Sequence, residues 1–177
     1  MAEIQTPSGM ANAADGTELF WRGWVPEDPR AALLFVHGLA EHSGRYDATA
    51  RQFLQKGMAC YGLDLRGHGN SPGRRVHVGS FDEYLADADA ALALARERHP
   101  SLPLFLVGHS MGGLIAIHYV LAKPGAVAGA VVSSPLLAAH PSAEPSAALK
   151  AVSRILCALA PRLLIVFEAG GIGPQVP

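Results

Sequence analysis

Two pentapeptides in this chain have the G-x-S-x-G spacing in which a serine hydroxyl can be held as a nucleophile. They are Gly108-His109-Ser110-Met111-Gly112 and Gly69-Asn70-Ser71-Pro72-Gly73. Chance gives about one such match in eight chains of this length and composition, so the spacing alone decides nothing. A serine is primed for attack on a carbonyl carbon when it sits on a sharp strand-to-helix turn. The backbone N–H that follows it must also be able to meet the developing oxyanion. Ser110 meets both conditions: an apolar run at 102–107 precedes it and an apolar helical run, Met111–Ala122, follows. Ser71 meets neither, because Pro72 has no N–H and Gly73-Arg74-Arg75 is no helix start. Ser110 is therefore the candidate nucleophile and Ser71 a loop residue. A helix N-cap is the plainer alternative role for Ser110.

An oxyanion needs a second donor, and His37-Gly38-Leu39 directly follows the apolar run Ala31–Val36. Leu39 N–H is the natural partner of Met111 N–H there, and losing one such donor typically costs about 3 kcal/mol of transition-state stabilisation. Gly38, Gly108 and Gly112 support the site because a side chain on the sharp turn would strike its neighbours. His37 reads as a structural residue that hydrogen-bonds the loop. His109 is also read as structural, since adjacent side chains on such a turn point apart.

The elements that must hold these residues follow from the apolar pattern. Asp15-Gly16 reads as a hairpin turn, followed by a strand at 18–25. Continuous apolar runs at Ala31–Val36, Met58–Leu63, 102–107 and 127–132 suit buried strands. Helices are expected at 46–56 with Gly57 closing the C-terminus, from a capping box at Ser80-Phe81-Asp82-Glu83 to about Arg98, and at Met111–Ala122. Four buried strands separated mostly by helices predict an α/β protein. Its mostly parallel central sheet should be flanked by helices on both faces, with ligands at the carboxyl ends of the strands. His37, Asp64, Gly108 and Ser133 all lie at such ends.

Composition narrows the function classes. The chain has 177 residues, 14 basic and 15 acidic, and half of them are hydrophobic. One domain with an ample core is expected, and the absence of a basic stripe argues against nucleic acid. Two cysteines, Cys60 and Cys157, in apolar settings fit a reducing compartment. No signal-peptide pattern and no spanning apolar stretch is visible, so a cytoplasmic protein is expected.

At this point the residues resemble a family. His37-Gly38-Leu39-Ala40-Glu41-His42-Ser43-Gly44-Arg45-Tyr46 is similar to the H-G-x-x-E-H-S-x-R-Y loop of monoacylglycerol lipases. Asp64-Leu65-Arg66-Gly67-His68-Gly69-Asn70-Ser71 resembles their D-x-R-G-H-G-x-S segment, and residues 108–113 resemble their elbow. Ser133-Ser134-Pro135 matches the end of the next strand, and Tyr46 and Phe81 fall at aromatic positions. The resemblance implies an α/β-hydrolase that cleaves carboxylic esters through an acyl-enzyme, with no metal or cofactor. Monoacylglycerols or lysophospholipids are the implied substrates. It also implies a hydrophobic cap after residue 134. Residues 147–159 carry Leu149, Val152, Ile155, Leu156 and Leu159 at helical spacing, a face suited to acyl chains, to peripheral contact with a membrane, or to an ordinary core.

The chain also departs from the family. The fold orders its triad as Ser, then Asp or Glu, then His. After Ser110 the acids are Glu144 and Glu168, and the histidines are His118 and His140. His118 lies two helical turns along, roughly 12 Å from Ser110 at 1.5 Å per residue. No acid is placed to orient His140. No triad Asp or His is therefore identified, and the chain is expected to lack the C-terminal strands of the fold and to be inactive or slow. Its alternative role is a non-catalytic acyl-binding homologue. The expected organisation is an N-terminal segment at 1–16, the hydrolase core at 17–134, a partial cap at 135–161 and an aberrant, frameshifted or truncated tail at 162–177.

Overall fold

The computed structural model describes residues 5–138 and 146–159. They belong to two compact units, Met1–Leu137 and Ala138–Pro177. His140, Glu144, Glu168 and the tail at 162–177 lie outside the described residues.

The first unit is a six-stranded sheet in the order β1-β2-β4-β3-β5-β6. Its strands are β1 (Ser8–Asn12), β2 (Glu18–Trp24), β3 (Ala31–Val36), β4 (Met58–Leu63), β5 (Leu104–His109) and β6 (Gly129–Ser133). β3, β4, β5 and β6 pair in parallel, and β2 runs antiparallel between β1 and β4. The hairpin forms at the expected place: Asp15 Oδ1 accepts Thr17 N–H at 3.0 Å, and Gly16 adopts φ +83°. β1 falls in a segment given no element from sequence. Ser-Gly-Met-Ala-Asn carries little strand signal, and pairing with β2 supplies the order.

β3 is buried at every residue and β4 at all but Met58, as apolar runs covered on both faces must be. Helices α2 (Asp82–Arg98) and α3 (Met111–Ala122) lie over one face, where Leu34, Val36, Leu63, Leu92, Leu106 and Ile115 share a core. Helix α1 (Asp47–Leu54), entered through a 3-10 turn at Ser43–Tyr46, covers the other. There Phe35 packs with Trp24, Ala50, Leu54 and Cys60. On this face Phe105 and Val107 of β5 are half-buried and pack against that cluster.

The strand expected at 102–107 runs two residues later, at Leu104–His109, and the helix expected at 46–56 is shorter, Asp47–Leu54. Two further expectations need correction. β6 starts at Gly129 rather than Val127 and is not buried: Val131 is 57% exposed. Among the described residues β6 is the last strand in the sheet order, and only β5 pairs with it. The capping box at Ser80 does not close either. Ser80 Oγ accepts Asp82 N–H at 3.3 Å, while the Glu83 carboxylate turns to Arg66 at 3.1 Å. A guanidinium outcompetes a backbone amide for a carboxylate.

In the second unit, helix α4 (Ala147–Leu159) forms where the helical spacing predicts it. Leu149, Val152 and Ile155 on it are exposed. No helix among the described residues is long and apolar enough to cross a membrane.

Candidate active site

Ser110 stands between the end of β5 and the first turn of α3, with φ +53° and ψ −117°. A side-chain-bearing residue there holds roughly 1–3 kcal/mol of strain, so its surroundings must fix it. They do so through the backbone. Ser110 N–H donates to Ser133 O at 3.0 Å, and Ser110 O accepts Leu114 N–H and Leu136 N–H, both at 3.1 Å. The residue is half-buried.

The flanking glycines are required by close approach. A Cβ on Gly108 would overlap the Gly112 carbonyl. One on Gly112 would overlap Val36 O and come within 2.7 Å of His37 O. The first turn of α3 therefore lies directly on the carboxyl end of β3. Met111, the first residue of α3, is buried, and its N–H belongs to the helix turn that has no intrahelical acceptor.

The loop after β3 reaches the same place. A Cβ on Gly38 would lie 3.2 Å from Ser110 Cβ. Leu39 and Ala40 form the tip of a turn in which Glu41 N–H donates to Gly38 O at 3.3 Å, and Ala40 takes φ +57°. Leu39 exposes half of its surface at this tip.

His37 is fully buried and bonded at both ring nitrogens. Nδ1–H donates to Gly38 O at 2.7 Å, and Nε2 accepts Leu65 N–H at 3.0 Å. Burial lowers its pKa to about 4. A neutral ring with both nitrogens occupied joins the β3 loop to the β4 loop and has no lone pair left for a substrate proton. His109 Nδ1 lies 3.4 Å from Ser133 Oγ, across the β5–β6 pair. His118 packs its ring on Phe81, with centroids 4.9 Å apart. Among the described residues no side chain hydrogen-bonds the Ser110 hydroxyl, and no group of three His, Cys, Asp or Glu could hold a metal ion.

The other serine is interred. Ser71 has no exposed surface, its hydroxyl accepts Phe20 N–H at 2.8 Å, and it donates to Asp64 O. It fastens the β4 loop to β2.

Sequence reasoning gave no role to three residues that shape this end of the sheet. Buried Asp64 accepts Ser43 N–H at 2.6 Å and Asn70 N–H at 2.8 Å, so one carboxylate joins both loops. Glu41 Oε2 accepts Gly38 N–H at 3.0 Å. Asp87, fully buried on α2, takes the Arg66 side chain at 2.8 and 2.6 Å and Arg66 N–H at 2.9 Å. The available signals were an acid at the carboxyl end of an apolar strand, an acid three residues past a glycine turn, and an acid among the alanines of α2.

Comparison with known proteins agrees with the geometry. The chain is 40% identical over 147 residues to a monoacylglycerol lipase of Mycolicibacterium smegmatis, covering 82% of this chain and 52% of that protein. It is 43% identical over 129 residues to the monoglyceride lipase of Homo sapiens, covering 72% and 43%. The chain thus spans about half the length of the curated relatives it matches. Among solved structures, a monoacylglycerol lipase of Paleococcus ferrophilus superposes with a TM-score of 0.68 at 34% identity, over 82% of this chain and 53% of that one. The profile of the family described as "Serine aminopeptidase, S33" matches residues 27–175. With its sheet order, its elbow and this match in agreement, the chain belongs to that family of α/β-hydrolases.

Proposed function

We propose that this chain presents the nucleophile side of a serine ester-hydrolase site, with Ser110 as nucleophile and the N–H groups of Leu39 and Met111 as oxyanion donors. The observation that carries it is the positive φ of Ser110, held between a buried strand and an apolar helix by glycines that tolerate no side chain. Strain of this kind is retained where a side chain must be presented. In the reaction, Ser110 Oγ bonds to the acyl carbon and the carbonyl electrons move to the oxygen facing the two amides. The ester C–O bond then breaks and the alcohol leaves with the proton. Water hydrolyses the acyl-serine in the same manner. This chemistry calls on no metal or cofactor.

The substrate class is a small lipid ester, a monoacylglycerol or lysophospholipid, in line with relatives named monoacylglycerol and monoglyceride lipases. The exposed Leu149, Val152 and Ile155 of α4 suit contact with an acyl chain or a lipid surface. Among the described residues no histidine reaches Ser110: His109 lies against Ser133, and His118 packs on Phe81. The same observation supports a second reading, a non-catalytic acyl-binding homologue.

Fatty-acid release from monoacylglycerol micelles separates the two. A slow release abolished in Ser110→Ala supports the hydrolase. Saturable fatty-acid binding without release, unchanged in Ser110→Ala, supports the binder.

A further inference from the structure

We propose that Glu41 is a positioning residue for the oxyanion loop, its carboxylate holding the Gly38–Leu39 backbone against Ser110 while Arg45 balances its charge. This rests on the reading of Ser110 and Leu39 above. The Glu41 side chain is only 15% exposed, and a carboxylate so enclosed needs partners. Oε2 accepts Gly38 N–H at 3.0 Å, and Oε1 pairs with Arg45 Nη1 at 2.8 Å. The backbone returns the contact, Glu41 N–H donating to Gly38 O at 3.3 Å. Gly38 O also receives His37 Nδ1–H at 2.7 Å.

Both polar atoms of Gly38 are therefore occupied, and its N–H is already committed to a carboxylate. The tie answers a strain. Ala40 holds φ +57° inside this turn, a conformation that relaxes unless neighbours fix it. A charge-assisted bond to the amide two residues upstream supplies the restraint.

Position makes the tie matter for chemistry. A Cβ on Gly38 would stand 3.2 Å from the Glu41 carboxylate and 3.2 Å from Ser110 Cβ, so acid and serine flank one glycine. A bare negative charge there would oppose a developing oxyanion. Arg45, 63% exposed, offsets it from the solvent side.

The test compares the full chain with Glu41→Gln, Glu41→Ala and Ser110→Ala in two measurements. The first is the rate of covalent labelling by a fluorophosphonate over a concentration series. Glu41→Ala is expected to slow labelling of Ser110 about tenfold in the maximal rate, with little change in the half-saturating concentration. Gln, which keeps the acceptor oxygen, restores most of it. The second is amide exchange by NMR. Gly38 N–H is expected to be protected in the wild type and in Glu41→Gln, and to exchange about tenfold faster in Glu41→Ala, while β3 and β4 keep their protection.

A Gly38 amide indifferent to Glu41 overturns the proposal, as does a Glu41→Ala chain that labels at the wild-type rate. Absence of label on wild-type Ser110, with a Gly38 amide that still depends on Glu41, sinks the nucleophile reading and supports the tie.

Discussion

Ser110 carries a conformational cost that can be measured. At φ +53° a Cβ is strained by roughly 1–3 kcal/mol, and glycine relieves that while losing roughly 0.5–1 kcal/mol more on ordering. Ser110→Gly is therefore expected to be about 1 kcal/mol more stable than Ser110→Ala, read as a higher denaturant midpoint at equal slope. Equal midpoints would mean that the elbow is relaxed. His37 gives a second residue-scale prediction. Burial depresses its pKa from 6.5 to about 4, so the unfolded chain takes up the proton first as pH falls. Its contribution is complete above about pH 6.5 and drains away toward pH 4, a loss of up to about 3 kcal/mol. Urea unfolding across that window should show the slope, and His37→Asn should flatten it. Protonation also removes the Nε2 acceptor of Leu65 N–H, so the β3 and β4 loops should loosen together.

Among the elements, the contact between α3 and β3 sets the site. Gly112→Ala places a methyl on Val36 O and His37 O, which are backbone atoms with little room to move. It is expected to destabilise the fold by about 1–3 kcal/mol, measured as a lower midpoint without a change in slope. Gly16 differs in kind: a Cβ there meets no neighbour, and its φ of +83° is what a substitution would strain. This scale also separates what was legible in the sequence from what was not. Ala31–Val36, Met58–Leu63 and Met111–Ala122 were readable to the residue because uninterrupted apolar runs suit elements covered by others. The Ser80 box failed because Glu83 is claimed by Arg66, 17 residues earlier, and no local pattern records that partner. The exposure of β6 was hidden for a related reason. Its apolar composition matches a central strand, and its position in the sheet order is a tertiary fact.

Across the whole molecule, one buried cation gathers distant parts. Arg66, after β4, bonds Asp87 and Glu83 on α2 and Asp15 in the β1–β2 hairpin. Asp87→Ala leaves that guanidinium 9% exposed with only the two outer carboxylates, and is expected to cost about 3 kcal/mol. The double change Arg66→Met with Asp87→Leu should recover much of this, and a cycle of denaturation midpoints checks it. The candidate site was legible at Ser110, Gly108, Gly112 and the His37-Gly38-Leu39 loop because strand-to-helix context sets them apart from Ser71. The bonding roles of Glu41, Asp64 and Asp87 were not, although Asp64 was placed at a strand end and both it and Glu41 stand in the motifs that carry the resemblance. Their partners are backbone amides and side chains brought near only by the closed sheet.

The central claim is that Ser110, and not Ser71, is the reactive hydroxyl. Long incubation of the full chain with excess fluorophosphonate, followed by peptide mapping, tests it most directly. The account predicts one adduct, on Ser110, that is absent in Ser110→Ala. An adduct on Ser71, or labelling that persists in Ser110→Ala, would contradict it.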